Sequence, residues 1–392
     1  MPIVLGPLFS LVAKNALGCE LVYYRDRGRN IVRKYAAPYR QVRQLTALST
    51  VLTVDNWNCV TCSEDGRVMA ICKNSGMIYV SQDYGKSWMG KLSAGSWADI
   101  DCSSDGSHLI AGPGPGGYLY RSSDSGENWT AGTLNKAWVG VACSSSGQYV
   151  LASATSAQLY TSTDYGATMT ARETVRSWQG VAMSGDAGYY FALTPSNGPC
   201  MSRDKGLTWQ WMSNNTAYMK IATSSDGKYI LTCPYSNSSS LPLTVSTNYG
   251  SQWTTVTSGI GWMGVDMSTD GSFMIATQYI LNTTCMAFYS TNYGSTWTAI
   301  MAAPLKNWRD VACSGNGLYF AIAPWGSYVS LCLPTGAPMP PEMKARAAYF
   351  KQMAANWVAA TPEYRASWNA KARRYTTGYN EYMRVMMEGF EG

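Results

Sequence analysis

Ser81-Gln-Asp-Tyr-Gly85-Lys-Ser-Trp88 is one copy of a phrase that recurs along the chain. It returns as Ser122, Asp124, Gly126 and Trp129, as Ser162, Asp164 and Gly166 with Met169 in the Trp place, and as Ser202, Asp204, Gly206 and Trp209. Two later copies carry Asn for Asp: Ser246, Asn248, Gly250, Trp253 and Ser290, Asn292, Gly294, Trp297. Short Ser and Asp side chains can bond nearby backbone amides and hold a tight turn. Gly supplies a backbone angle that a Cβ would forbid. The Trp then opens the next strand and buries a large ring. Exchange of Asp for Asn keeps the acceptor oxygen and drops the charge, which fits a structural role.

A second phrase alternates with the first, as in Trp138-Val-Gly-Val-Ala-Cys143-Ser-Ser-Ser-Gly147. It starts at Trp57, Trp97, Trp138, Trp178, Tyr218, Trp262 and Trp308, at intervals of 40, 41, 40, 40, 44 and 46 residues. It reads strand, turn, strand. The strand is apolar on both faces, as strands covered on both faces are. Asp65-Gly66, Asp105-Gly106, Asp226-Gly227 and Asp270-Gly271 are hairpin signals. Each unit therefore holds about four short strands, the blade of a propeller. The expected fold is all-β: a seven-bladed β-propeller with an N-terminal β-hairpin arm and a C-terminal helical segment. The last unit lacks a seventh copy of the opening phrase. Thr50-Val-Leu-Thr-Val54 is the expected closing strand, beside residues 328–333.

The phrase Ser-x-Asp-x-Gly-x-x-Trp resembles the Asp-box (BNR-repeat) propellers, which include sialidases, sortilin-like receptors and photosystem II assembly factors. The resemblance covers residues 45–333 and implies the fold; function does not follow from it. The ends carry a second resemblance. Gly18, Val22-Tyr-Tyr, Arg27-Gly, Val32-Arg33 and Pro38, with Trp357, Arg365, Trp368 and Gly378-Tyr-Asn380, resemble small phage-type structural proteins. On that analogy the propeller is an insertion into a small assembly module.

The boundaries are 1–43 for the arm, 44–334 for the propeller, 335–341 for a Pro-rich linker and 342–392 for the helical segment. In the arm, residues 20–25 and 30–35 flank Asp26-Arg-Gly-Arg29 as a hairpin. Net charge is +6, unevenly placed. The arm holds eight Lys and Arg against two acids, the propeller fourteen against seventeen, and residues 335–392 eight against five. Arg25, Arg27, Arg29, Arg33 and Lys34, with Trp357 and Trp368, are the candidate assembly residues. The basic ends would bind an acidic partner or a neighbouring subunit, and nucleic acid only through those ends.

There are eleven cysteines. Cys62 aligns with Cys102, Cys143, Met183, Thr223, Met267 and Cys313, which reads as a buried structural slot and not as a metal or redox CxxC. Residues 1–12 are apolar but lack a basic flank, so no signal peptide is expected, and no membrane span either. Neither a cofactor nor a metal is expected. Asp99, Asp101, Asp266 and Asp310 fall on inner strands and would line the axis, where a cation could sit.

A sialidase needs an arginine cluster and a paired Tyr and Glu. The propeller offers only Arg67, Arg121, Arg172, Arg176, Arg203 and Arg309, and no carboxylate pair at glycosidase spacing stands out. The single histidine, His108, makes a His-dependent triad a poor fit. The chain is read as a non-enzymatic structural or interaction protein. In its narrowest form it is a virion component (capsid decoration, minor capsid or tail) that assembles with other protein subunits through its basic termini. The alternatives are an adhesin that binds glycan on the face carrying the irregular loops at residues 113–117, 195–199, 236–242 and 280–284, and a divergent sialidase-like glycosidase. The location is then a virion or other extracellular assembly, with the cytoplasm as the alternative.

Overall fold

In the computed structural model, residues 52, 54–92, 95–212, 218–234, 242–256, 261–278, 285–300, 307–327 and 329–331 are described in full. For residues 20–26, 29–35, 45–47, 93–94, 257 and 332 the backbone is described. The chain divides into two compact units, Met1–Val42 with Pro334–Gly392, and Arg43–Leu333. In the first, strand Glu20–Asp26 pairs antiparallel with Arg29–Tyr35, with Asp26 opposite Arg29. That hairpin carries Arg25, Arg29, Arg33 and Lys34. Arg27, Trp357, Trp368 and the expected helices of 342–392 lie outside the described residues.

The second unit is an all-β propeller. Five sheets have four antiparallel strands in sequence order, for example Trp97–Cys102, Leu109–Pro113, Gly117–Ser122 and Thr130–Lys136. The sixth sheet has eight strands. One half is Asp55–Cys62, Met69–Lys73, Gly76–Ser81 and Met89–Gly95. The other is Asn307–Cys313, Phe320–Ser327, Ser330–Cys332 and Leu45–Ala47. The halves meet where Trp325 and Ser327 pair with Asn56 and Asp55.

The closing strand is Leu45–Ala47, paired with Ser330–Cys332, and not residues 50–54. Of the expected segment, Leu52 and Val54 sit in bends. Leu52 is buried against Trp57, Val329 and Leu331, so it serves the core as a plug between the first and last units.

Large side chains fill the gaps between blades. Trp57, Trp97, Trp138, Trp178 and Trp308 are at most 1% exposed. Trp97 and Trp138 donate their indole N–H to the carbonyls of Gly76 and Gly117 in the preceding unit, at 2.9 Å each. Trp97 also packs edge-on against Tyr120 of its own unit. This ring of aromatics is blade-to-blade packing. Among the described residues no helix is long and apolar enough to cross a membrane.

Candidate functional site

Two sets of aspartates stand on this frame. The first lies in the Asp-box turns. Ser81 donates its hydroxyl to Asp83 at 2.8 Å and accepts the Gly85 N–H at 2.9 Å. Asp83 accepts the Ser87 N–H at 2.9 Å, and Trp88 donates its indole N–H to the Gly85 carbonyl at 3.0 Å. Ser122, Asp124, Gly126 and Trp129 repeat the pattern, as do Ser202, Asp204, Gly206 and Trp209. Ser162, Asp164 and Gly166 do so without the indole. In the Asn copies, Asn248 and Asn292 accept the amides of Gln252 and Thr296 at 2.9 Å each. Ser246, Gly250 and Trp253, and Ser290, Gly294 and Trp297, close those turns.

The residue before each box glycine also takes positive φ, between 56° and 64° in Tyr84, Ser125, Tyr165, Lys205, Tyr249 and Tyr293. A bulky side chain there is uncommon. In three boxes the side chain at this position stacks on a ring of the blade before. Tyr165 stacks on His108, Tyr249 on Tyr189 and Tyr293 on Tyr229, with ring centroids 4.4, 5.1 and 4.7 Å apart. Each pair joins one blade to the blade before it. The boxes are therefore latches between blades.

The second phrase builds a similar turn. Ser63, Ser103, Ser144, Ser184, Ser224, Ser268 and Ser314 are all buried. Ser103 donates to Asp105 and accepts the His108 N–H. The residue after each serine donates its N–H to the same position in the next unit: Glu64 to Ser104, Ser104 to Ser145, Ser145 to Gly185 and Gly185 to Ser225. Ser225 continues to Thr269, Thr269 to Gly315, and Gly315 back to Glu64, at 2.8–2.9 Å. This closed hydrogen-bond ring frames the mouth of the axis. The buried serine was visible in the sequence as the one residue that no copy changes.

Behind the mouth lies a cavity of about 240 Å³. Asp99, Asp101, Asp266, Asp310 and Lys220 line it, with Glu64 at the rim. Cys62, Cys102, Cys143, Met183, Thr223, Met267 and Cys313 line it too. Met183, Met267 and Cys313 are buried, as expected of a structural slot, and Cys62, Cys102, Cys143 and Thr223 are half-buried at the well. The described cysteines are free thiols, and burial holds those of Cys62 and Cys143 well above the ordinary range.

Asp101 accepts the N–H of Cys102 and of Cys143, both at 2.8 Å. Asp266 accepts the Cys313 N–H at 2.6 Å. Burial pushes Asp101 up to about 6 and Asp266 up to about 7, against the pull of these amides. Lys220 reaches Asp99 at 3.1 Å and Asp310 at 3.6 Å. Burial alone would lower its pKa, but Asp310 and Asp99 outweigh burial and leave it raised. Burial holds Asp310 above the ordinary carboxylate range. A side-chain ammonium thus stands where the sequence suggested a cation. Among the described residues no three His, Cys, Asp or Glu converge as metal ligands.

No arginine is among the residues lining the cavity. Arg176 lies over Trp211, Arg203 over Tyr189 and Arg309 over Trp325, and Arg172 donates to Thr161.

A family model described as the BNR-Asp box repeat matches residues 78–91. No curated protein matches the sequence. Among solved structures, YCF48 from Cyanidioschyzon merolae is 14% identical with a TM-score of 0.59, over 74% of this chain and 98% of that one. A structure described as YCF48 bound to D1 peptide is 11% identical, with a TM-score of 0.56 over 74% and 96%. The GH74 xyloglucanase from Xanthomonas campestris is 14% identical with a TM-score of 0.59, over 76% of this chain and 55% of that enzyme. At such identities these likenesses speak to fold: the chain is a β-propeller that carries a BNR-Asp box repeat, similar in architecture to both a peptide-bound protein and a glycosidase.

Proposed function

We propose that the chain is a non-enzymatic interaction protein, whose propeller receives a cationic group of a partner protein at the mouth of the axial well. The disc is read as seven-bladed, with the eight-stranded sheet as two blades joined at one edge. The well carries the reading. Four carboxylates stand there against one ammonium. Each of the four already accepts a backbone N–H of the following inner strand. A general acid or nucleophile must be free to exchange its proton or attack, and these groups are tied to the frame. Charge without mobility suits recognition. The peptide bound to the similar YCF48 structure supports a protein partner. The narrower reading of a virion component rests on the sequence of the two ends alone, on their basic charge and their resemblance to small phage-type structural proteins.

The test is a titration of the full chain with a labelled oligolysine peptide and with an oligoglutamate peptide. Oligolysine should bind, weaken as salt rises, and lose about tenfold in affinity in Asp101→Asn/Asp266→Asn. Release of reducing sugar from xyloglucan that this variant abolishes would overturn the proposal in favour of a glycosidase.

A further inference from the structure

We infer that Lys220 is a crossbar: its side chain spans the axial channel, closes it as a conduit, and pins the ring at its seam. This does not depend on the partner proposed above. Lys220 stands on the inner strand Tyr218–Thr223. Its ammonium meets Asp99 Oδ1 at 3.1 Å and Asp310 Oδ1 at 3.6 Å. Those aspartates belong to the inner strands Trp97–Cys102 and Asn307–Cys313, neither of which is next to Lys220 in the repeat order. Only a side chain that crosses the axis joins them.

The far oxygens of the two carboxylates carry the link onward. Asp99 Oδ2 accepts the Val141 N–H at 2.9 Å, and Asp310 Oδ2 accepts the Val60 N–H at 3.2 Å. The second contact bridges the last inner strand to the first, which is the seam of the ring. One ammonium therefore holds two carboxylates, and each carboxylate holds the next strand. Cys59, Gly140, Gly180 and Gly264 occupy the same place in the other repeats and leave the crossbar its room. Removing the ammonium leaves two buried carboxylates facing each other, a costly arrangement that the backbone contacts cannot offset.

The experiment is amide hydrogen exchange on the full chain and on Lys220→Met, read at four amides. Val60 and Val141 depend on the crossbar through Asp310 and Asp99. Cys143 and Cys313 depend on Asp101 and Asp266, which Lys220 does not touch. The crossbar predicts exchange about tenfold or more faster at Val60 and Val141, with Cys143 and Cys313 changed by less than about threefold. Equal change at all four amides, or none at any, overturns it. If Lys220→Met does not fold, Lys220→Met/Asp99→Asn/Asp310→Asn decides. Recovery of a folded ring supports the crossbar, because the unpaired carboxylates were the fault. Continued failure to fold overturns it.

Discussion

The box turns and the axial well use the same side chain and drive it in opposite directions. In a box, Asp204 gathers the Thr208 hydroxyl and amide and the Ser202 hydroxyl at the surface, and falls to about 2. For Asp164 burial acts to raise the pKa, but the Ser162 and Thr168 hydroxyls with the Thr168 and Ala167 amides together outweigh it and bring it to about 2. In the well, Asp101 and Asp266 also accept amides, but dry surroundings win and lift them to about 6 and about 7. Hydrogen bonds decide the first case and desolvation the second. A carboxylate in this repeat is therefore not one kind of group.

The largest expected effect of that difference is on stability against pH. The folded pKa values of Asp101 and Asp266 lie above the ordinary 3.8, so the native state takes up their protons first. Stability should rise as pH falls from 8 through 7 and 6 to 4.5, by about 5 kcal/mol for the pair. Denaturant melts across that range check it, and Asp101→Asn/Asp266→Asn should flatten the curve. A wild-type curve that is already flat would break the contrast. The boxes act in the other window. Their lowered aspartates contribute stability above the ordinary pKa, lost as pH falls through about 4 towards 2.

A smaller effect is expected at one box. Asp83→Ala removes the acceptor for Ser81, Lys86 and Ser87 and should cost about 1–2 kcal/mol in the same melts. The smallest effect sharpens the point. Asp83→Asn should change stability at neutral pH by less than about 0.5 kcal/mol, because Asn248 and Asn292 already make the same turn. A large loss there would mean that charge, and not geometry, holds the boxes.

The boxes were legible because six copies state the same local chemistry, and a turn is closed by residues within a few positions of one another. The buried serines were equally repeated, yet the inter-blade ring they position was not read, since a local motif does not reveal what its neighbour's backbone does. The crossbar was invisible for a sharper reason. Lys220 occupies a repeat position where every other copy is Cys, Asp or Gly, and its partner Asp99 is 121 residues away. The closing strand was placed five residues too late, because Leu52 and its β-branched neighbours look more strand-like than Leu45-Thr46-Ala47.

That short closing strand also sets how the disc would bear load. Leu45 pairs with Cys332, Thr46 with Leu331 and Ala47 with Ser330, antiparallel. Tension on the two ends would peel these pairs one at a time and would not shear them together. The clasp would yield first, as a mechanical fuse, while the hydrogen-bond ring at the mouth kept the other blades in place.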